Sequence, residues 1–146
     1  MHKYTNTSQL AFSAKELYKI VIDVESYPIF LPWCISAKVI NKKSTNSFDA
    51  SLKVGYKAID EEYTSRVIGT EYKEIKSSAI NGPFNYLDSI WTFKSLDNDY
   101  CEVKFNIEYE FKSFFLDKIM GGLFKKATIK MLDAFEKRAN ELNNRI

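Results

Sequence analysis

From Leu116 to Leu142 the apolar positions recur at spacings of three and four: Leu116, Met120, Leu123, Phe124, Ala127, Met131, Phe135 and Leu142. Lys118, Lys125, Lys126, Lys130, Asp133, Lys137 and Glu141 fall mostly opposite them. That period is the mark of an α-helix with one apolar face. At 1.5 Å per residue such a helix is roughly 40 Å long, enough to lie across a whole sheet, so a sheet with an apolar concave face is expected beneath it. Just before the helix, Cys101, Val103, Phe105, Ile107, Tyr109 and Phe111 alternate strictly with Glu102, Lys104, Asn106, Glu108, Glu110 and Lys112. This is the period of a half-buried strand. A strand of this kind leading directly into a long amphipathic helix predicts an α+β fold, with an antiparallel sheet covered on one side by helices.

Upstream, Tyr4 to Leu10 is polar and offers little to bury, which suits an edge strand. Ser13 and Glu16 have the spacing of a capping box, and Phe12 and Leu17 that of a hydrophobic staple. A helix should begin there, bury Leu17, Ile20, Val21 and Val24, and stop before Pro28. Tyr27 to Cys34, YPIFLPWC, cannot be one helix: Pro28 suits the first turn of a short helix, whereas Pro32 favours extended geometry at Leu31. Cys34–Ile40 and Phe48–Tyr56 form a hairpin pattern around an NKKSTN loop. Ile59–Ile68 continues as a strand with a mixed face that includes Asp60, Glu61, Glu62 and Arg66, and a short polar strand follows around Tyr72–Ser77. Asn81 to Asn85 has turn composition, with Phe84 unusually apolar for a loop tip. Leu87, Ser89, Trp91 and Phe93 then alternate as another strand, and Asp97 to Asp99 close the last hairpin. The expected total is about seven strands, a short N-terminal helix pair and one long final helix, in a single domain spanning 1–146.

Composition narrows the function. The 146 residues carry a net charge of +2, which demands no nucleic-acid partner and gives no reason to expect DNA binding. The N-terminus lacks a signal-peptide pattern and no uncharged stretch is long enough to span a bilayer, so a cytoplasmic protein is expected, at most peripheral to the inner face of a membrane. Two cysteines, Cys34 and Cys101, fit free thiols in a reducing compartment. Eleven Phe and nine Tyr exceed what a core of this size needs and suit a ring-lined chamber.

The inventory argues against catalysis. The lone histidine, His2, falls at a terminus expected to fray, leaving no Ser-His, Cys-His or His-metal constellation for the interior. Asp60, Glu61 and Glu62 are adjacent strand residues pointing to alternate faces, and they read as a solvated strand end. Gly121-Gly122 lacks the lysine and the strand-turn-helix context of a phosphate loop. Two glycines inside a helix cost roughly 1 kcal/mol each relative to alanine. Close packing, a helix that starts only after them, or a hinge that lets Phe114, Phe115 and Ile119 move as a lid would each account for them.

Three stretches, DVESYPIFLPWC (Asp23–Cys34), NGPFNYLDSIWTF (Asn81–Phe93) and KKATIKMLDAFEKRANEL (Lys125–Leu142), carry a family likeness. Through them the chain resembles, nearly end to end, the coenzyme Q-binding protein and ribosome association toxin family, a branch of the START-like, polyketide-cyclase-like superfamily. The resemblance implies a helix-grip fold, a curved antiparallel sheet around the long C-terminal helix with a hydrophobic cavity between them. It also implies non-catalytic binding of ubiquinone or another polyprenyl quinone in support of respiratory electron transport. Alternatives are a toxin that contacts the large ribosomal subunit and blocks subunit joining, and an aromatase-like or cyclase-like enzyme. No cofactor or metal is expected beyond the quinone itself. Pattern nominates Phe30, Leu31, Trp33, Phe84, Trp91, Phe105, Tyr109, Met120, Phe124 and Met131 as ligand-binding residues, with Phe30, Leu31 and Trp33 at a pocket rim; a packed corner between helix and sheet is the other reading of those three. The quinone ring is expected to stack on Trp33 or Trp91, with Tyr hydroxyls meeting its carbonyl oxygens. The basic outer side of the last helix, which also takes in Arg138 and Arg145, would serve a ribosomal partner or a membrane surface, but Asp117, Asp133, Glu136 and Glu141 dilute it and a simple solvated face is the better expectation.

Overall fold

A computed structural model describes residues 2–56 and 59–143. Seven strands, β1 (His2–Leu10), β2 (Cys34–Ser44), β3 (Ser47–Tyr56), β4 (Ile59–Thr70), β5 (Glu74–Asn81), β6 (Phe84–Ser95) and β7 (Cys101–Phe111), form one curved antiparallel sheet in the order β1-β7-β6-β5-β4-β3-β2. All neighbours except β1 and β7 are joined by hairpins. The polar β1 and the lysine-bearing β2 take the two edges, where backbone pairing on one side suffices.

Helix α1 (Ala14–Ile22) starts at Ser13, whose Oγ accepts the Glu16 N–H at 3.1 Å and donates to the Glu16 carboxylate at 3.1 Å. The helix buries Leu17, Ile20 and Val21 as its spacing predicts, and also Tyr18, which is 2% exposed. It ends one turn early. Val24 is buried from the following 3-10 turn, Val24–Ser26. Helix α2 (Tyr27–Phe30) is a single turn with Pro28 at its start, and Leu31 is extended ahead of Pro32. Helix α3 (Phe114–Asn143) packs on β7, β1, α1 and α2. Ser113 caps it, its Oγ accepting the Leu116 N–H at 3.1 Å.

Several boundaries differ from the sequence pattern for identifiable reasons. The expected NKKSTN loop is mostly strand: β2 runs to Ser44 with a register shift after Ile40. Asn41 adopts φ 47°, a left-handed bend tolerated by asparagine on an edge strand. Tyr72 takes φ 63° in the turn that precedes β5, so that strand begins at Glu74 instead. Phe84 is no loop tip. Gly82, at φ 113°, turns the chain, and Phe84 opens β6 with 7% exposure. Leu142, expected on the apolar face, is 48% exposed at the end of α3, whereas Ala139, about one turn earlier, is fully buried. His2 is held in β1, its ring 4.8 Å from that of Tyr109 and its Nε2 3.0 Å from Asp117. Both cysteines are free and buried.

Candidate functional site

Between the concave face of the sheet and α3 lies a cavity of about 170 Å³. Pairing register determines its floor. On β4 the inward positions are Glu61, Tyr63, Ser65 and Val67; Tyr63 stands opposite Leu52 of β3, and Val67 lies between Phe48 and Ser77. Ser77 of β5 faces Ser89 of β6, and Trp91 sits between Ile75 and Phe105. The roof is α3, which contributes Phe124, Ala127, Thr128, Met131 and Phe135, all from one face of the helix. Val21 and Val24 close one side, and Tyr27 and Trp33 form a corner.

The walls are held by ring packing. Phe135 meets Trp91 at 5.2 Å, Tyr27 at 5.3 Å and Phe30 at 5.2 Å between centroids, all edge-on. Trp91 lies 4.6 Å from Phe105, and Phe84 contacts Tyr63 at 5.5 Å and Phe111 at 4.7 Å. Such pairs contribute beyond the area they bury, so the lining is shaped as well as apolar. A second space of about 90 Å³ lies between β1, β6, β7, α1 and α3. It shares Val21, Trp91, Phe105 and Phe135 with the first, so these four side chains are the partition between the two.

Polar groups in the main cavity are few and concentrated on its floor. The Ser77 and Ser89 hydroxyls are 2.6 Å apart and either can donate. That leaves one hydroxyl hydrogen of the pair available to a guest. Ser65 is 5% exposed. Burial is the main cause pushing the Tyr63 phenol above its ordinary value, so it stays protonated and can donate to a carbonyl oxygen. Two other hydroxyls are already committed: Tyr27 donates to the Val21 carbonyl, and Thr128 donates to the Phe124 carbonyl at 3.0 Å. Burial pushes the Cys34 thiol up to about 11, and it remains an unreactive thiol at neutral pH. No histidine lines the cavity, and among the described residues no group of three His, Cys, Asp or Glu is arranged to hold a metal.

Of the ten residues nominated by sequence, Trp33, Phe84, Trp91, Phe105, Phe124 and Met131 lie on the cavity wall. The other four do not. Phe30 packs outside against Phe135 and carries the Arg138 guanidinium 5.4 Å from its ring. Leu31 is buried in the core below Trp33 in sequence, away from the lining. Tyr109 lies behind Phe124, at 4.0 Å, and Met120, 1% exposed, is one turn too early in α3 to reach the space. Parity and helix face are necessary for lining a cavity, but depth along the element decides it. The floor polar groups Ser65, Ser77 and Ser89 escaped sequence reading, although Ser89 sits in phase with Leu87, Trp91 and Phe93. That phase was the available signal.

Comparison with known proteins agrees with this architecture. Residues 10–136 match the family described as polyketide cyclase / dehydrase and lipid transport. The chain is 40% identical over 146 residues to the ribosome association toxin RatA of Rickettsia prowazekii, covering 97% of this chain and 99% of that protein. It is 34% identical over 139 residues to the mitochondrial coenzyme Q-binding protein COQ10 of Dictyostelium discoideum, covering 93% of this chain and 68% of that one. A START superfamily protein from Mycobacterium smegmatis superposes with a TM-score of 0.84 at 19% identity, over 98% of this chain and 100% of its own. Sheet order, roofing helix and sequence likeness converge: the fold is START-like, and the chain belongs to the polyketide cyclase / dehydrase and lipid transport family, with a ribosome association toxin and a coenzyme Q-binding protein among its relatives.

Proposed function

We propose that the protein binds a hydrophobic ligand in the cavity beneath α3 without transforming it, and that the ligand is ubiquinone or another polyprenyl quinone. The observation that carries this reading is an apolar, ring-lined space whose few polar groups, chiefly the Ser77 and Ser89 hydroxyls, the Tyr63 phenol and the Glu61 carboxylate, lie on its floor. A quinone ring stacked against Trp91 would bring a carbonyl oxygen toward Ser77, Ser89 or Tyr63. The volume matches one ring: a cavity of about 150 Å³ lined by apolar side chains takes up benzene. The 170 Å³ here therefore holds a head group and little of a tail. An isoprenoid chain would extend toward the mouth, each buried methylene contributing about 0.8 kcal/mol.

The same lining supports a non-catalytic role. A neutral phenol and paired serines supply no activated nucleophile, and the one carboxylate on the lining, Glu61, has neither a histidine nor a second acid beside it there, which weighs against the cyclase-like alternative. The test is organic extraction of protein purified from a quinone-making host, followed by mass spectrometry. Co-purified quinone, lost in a Ser77→Val/Ser89→Val variant of unchanged stability, supports the reading; protein free of any quinone or lipid overturns it. Loss of respiration in a knockout, restored by added quinone, would tie that binding to electron transport.

The 40% identity to a ribosome association toxin favours a second reading, action on the ribosome, with the large subunit as the proposed contact. Lys118, Lys125, Lys126, Lys130, Lys137 and Arg138 put positive charge along α3, whereas Arg145 lies outside the described residues. Asp133, Glu136 and Glu141 dilute the charge in the second half of the helix. Salt-sensitive co-sedimentation with the large subunit, unaltered by filling the cavity, would favour this reading. Among the described residues no helix is long and apolar enough to cross a membrane. A cytoplasmic location, with contact at the inner face of a membrane during ligand uptake, accords with both the cavity and that observation.

A further inference from the structure

The first half of α3 presents an outer face that the cavity does not use. Phe114 and Phe115 are 83% and 73% exposed, Ile119 49% and Ile129 40%. Phe115, Ile119, Gly122, Lys126 and Ile129 follow one another at steps of four and three and so share one side of the helix. Lys118 and Lys125, both exposed, flank that side. The acid in this stretch is turned the other way: Asp117 accepts the Phe111 N–H at 2.9 Å and lies 3.0 Å from His2. From Lys118 to Lys130 there is no Asp or Glu at all. The opposite side of the same turns, through Phe124 and Thr128, roofs the cavity.

We infer that this face of α3 docks the protein onto an anionic lipid bilayer. Phe114, Phe115 and Ile119 enter the boundary between headgroups and acyl chains, while Lys118, Lys125 and Lys126 meet headgroup phosphates. A helix with exposed aromatics and lysines lies in that interface, since apolar area leaves water as cation meets anionic lipid. Ribosomal RNA offers the same phosphates, but no apolar phase for four exposed hydrophobic side chains. The bilayer is therefore the partner that both halves of the face fit. Docking stands on this face alone; uptake of an oily ligand through it rests on the binding reading above. Seated this way, the cavity roof lies one helix thickness, about 10 Å, from the bilayer.

The experiment is co-sedimentation of the full chain with vesicles of equal parts phosphatidylcholine and phosphatidylglycerol. The protein should pellet with these vesicles, stay in solution with phosphatidylcholine alone, and be released by added salt. Each lysine near an anionic surface contributes roughly fivefold in binding, so Lys118→Gln/Lys125→Gln/Lys126→Gln should weaken it by about two orders of magnitude. Phe114→Ser/Phe115→Ser should weaken it by about tenfold or more. All five positions are exposed, so circular dichroism should show unchanged folding. No vesicle binding by the parent chain, or binding indifferent to these substitutions, overturns the inference. So does lysine-dependent binding to the large ribosomal subunit without vesicle binding. Vesicle binding by protein that carries no extractable lipid would leave docking intact and refute only the ligand reading.

Discussion

Replacing Gly122 by alanine gives a sharp test of how α3 is built. A Cβ placed on Gly122 meets nothing within 4 Å, so the glycine is not there for close packing, and the helix begins eight residues earlier at Phe114, so it is no helix start either. With no steric cost to oppose it, the substitution should return the full difference in helix propensity, about 1 kcal/mol, partly by restricting the unfolded chain. For a chain of this size that is a rise in Tm of roughly 3 °C. Urea denaturation monitored by far-ultraviolet circular dichroism measures it, with the midpoint moving up and the slope unchanged. Unchanged or lower stability would refute the reasoning, because it would mean that the turn around Gly122 is not regular helix in solution. If the glycines act as a hinge for the segment carrying Phe114, Phe115 and Ile119, the same variant should slow release of a bound hydrophobic probe while its affinity changes little. Equal release rates would remove the hinge reading and leave the stability prediction standing.

Other substitutions probe the core, the partition and the acid response. Gly69→Ala should destabilise the protein by about 1–3 kcal/mol, since its Cβ would lie 2.1 Å from the Tyr18 Oη, and Tyr18→Phe in the same chain should recover part of the loss. Phe135→Ala, at a side chain 6% exposed that separates the two cavities, should cost about 3–5 kcal/mol by thermal or urea denaturation. If the variant folds, it should also accept a bulkier hydrophobic probe than the parent. Asp49 is held below the ordinary carboxylate value chiefly by the Arg66 Nε–H at 3.1 Å, helped by Asn41 and opposed by burial. Its folded-state value is depressed, so the stabilisation is present above about pH 4 and lost as pH falls through that lowered value. Asp49→Asn should therefore be less stable at neutral pH and lose less on acidification, as read from Tm against pH.

Sequence alone determined the elements and their inward faces. Strict alternation in β7, the capping pair Ser13 and Glu16, and the three-and-four spacing of α3 are local properties, encoded within a turn or a few residues, so they were legible without coordinates. The edge position of β1 was equally readable, because an edge tolerates a strand with so little to bury, whereas the edge position of β2 emerged only from the sheet order. Tertiary structure decided depth. Tyr109 and Phe124 both point inward on their own elements, yet their rings lie 4.0 Å apart and Phe124 alone reaches the cavity. Ser77 and Ser89 became a polar pair only through the register of β5 with β6, a relation between residues twelve apart that no local period encodes. The division of one interior into two spaces by Val21, Trp91, Phe105 and Phe135 likewise depends on how α1 and α3 settle onto the sheet. Periodicity specifies which way a side chain points, whereas close packing of distant elements specifies what it meets there.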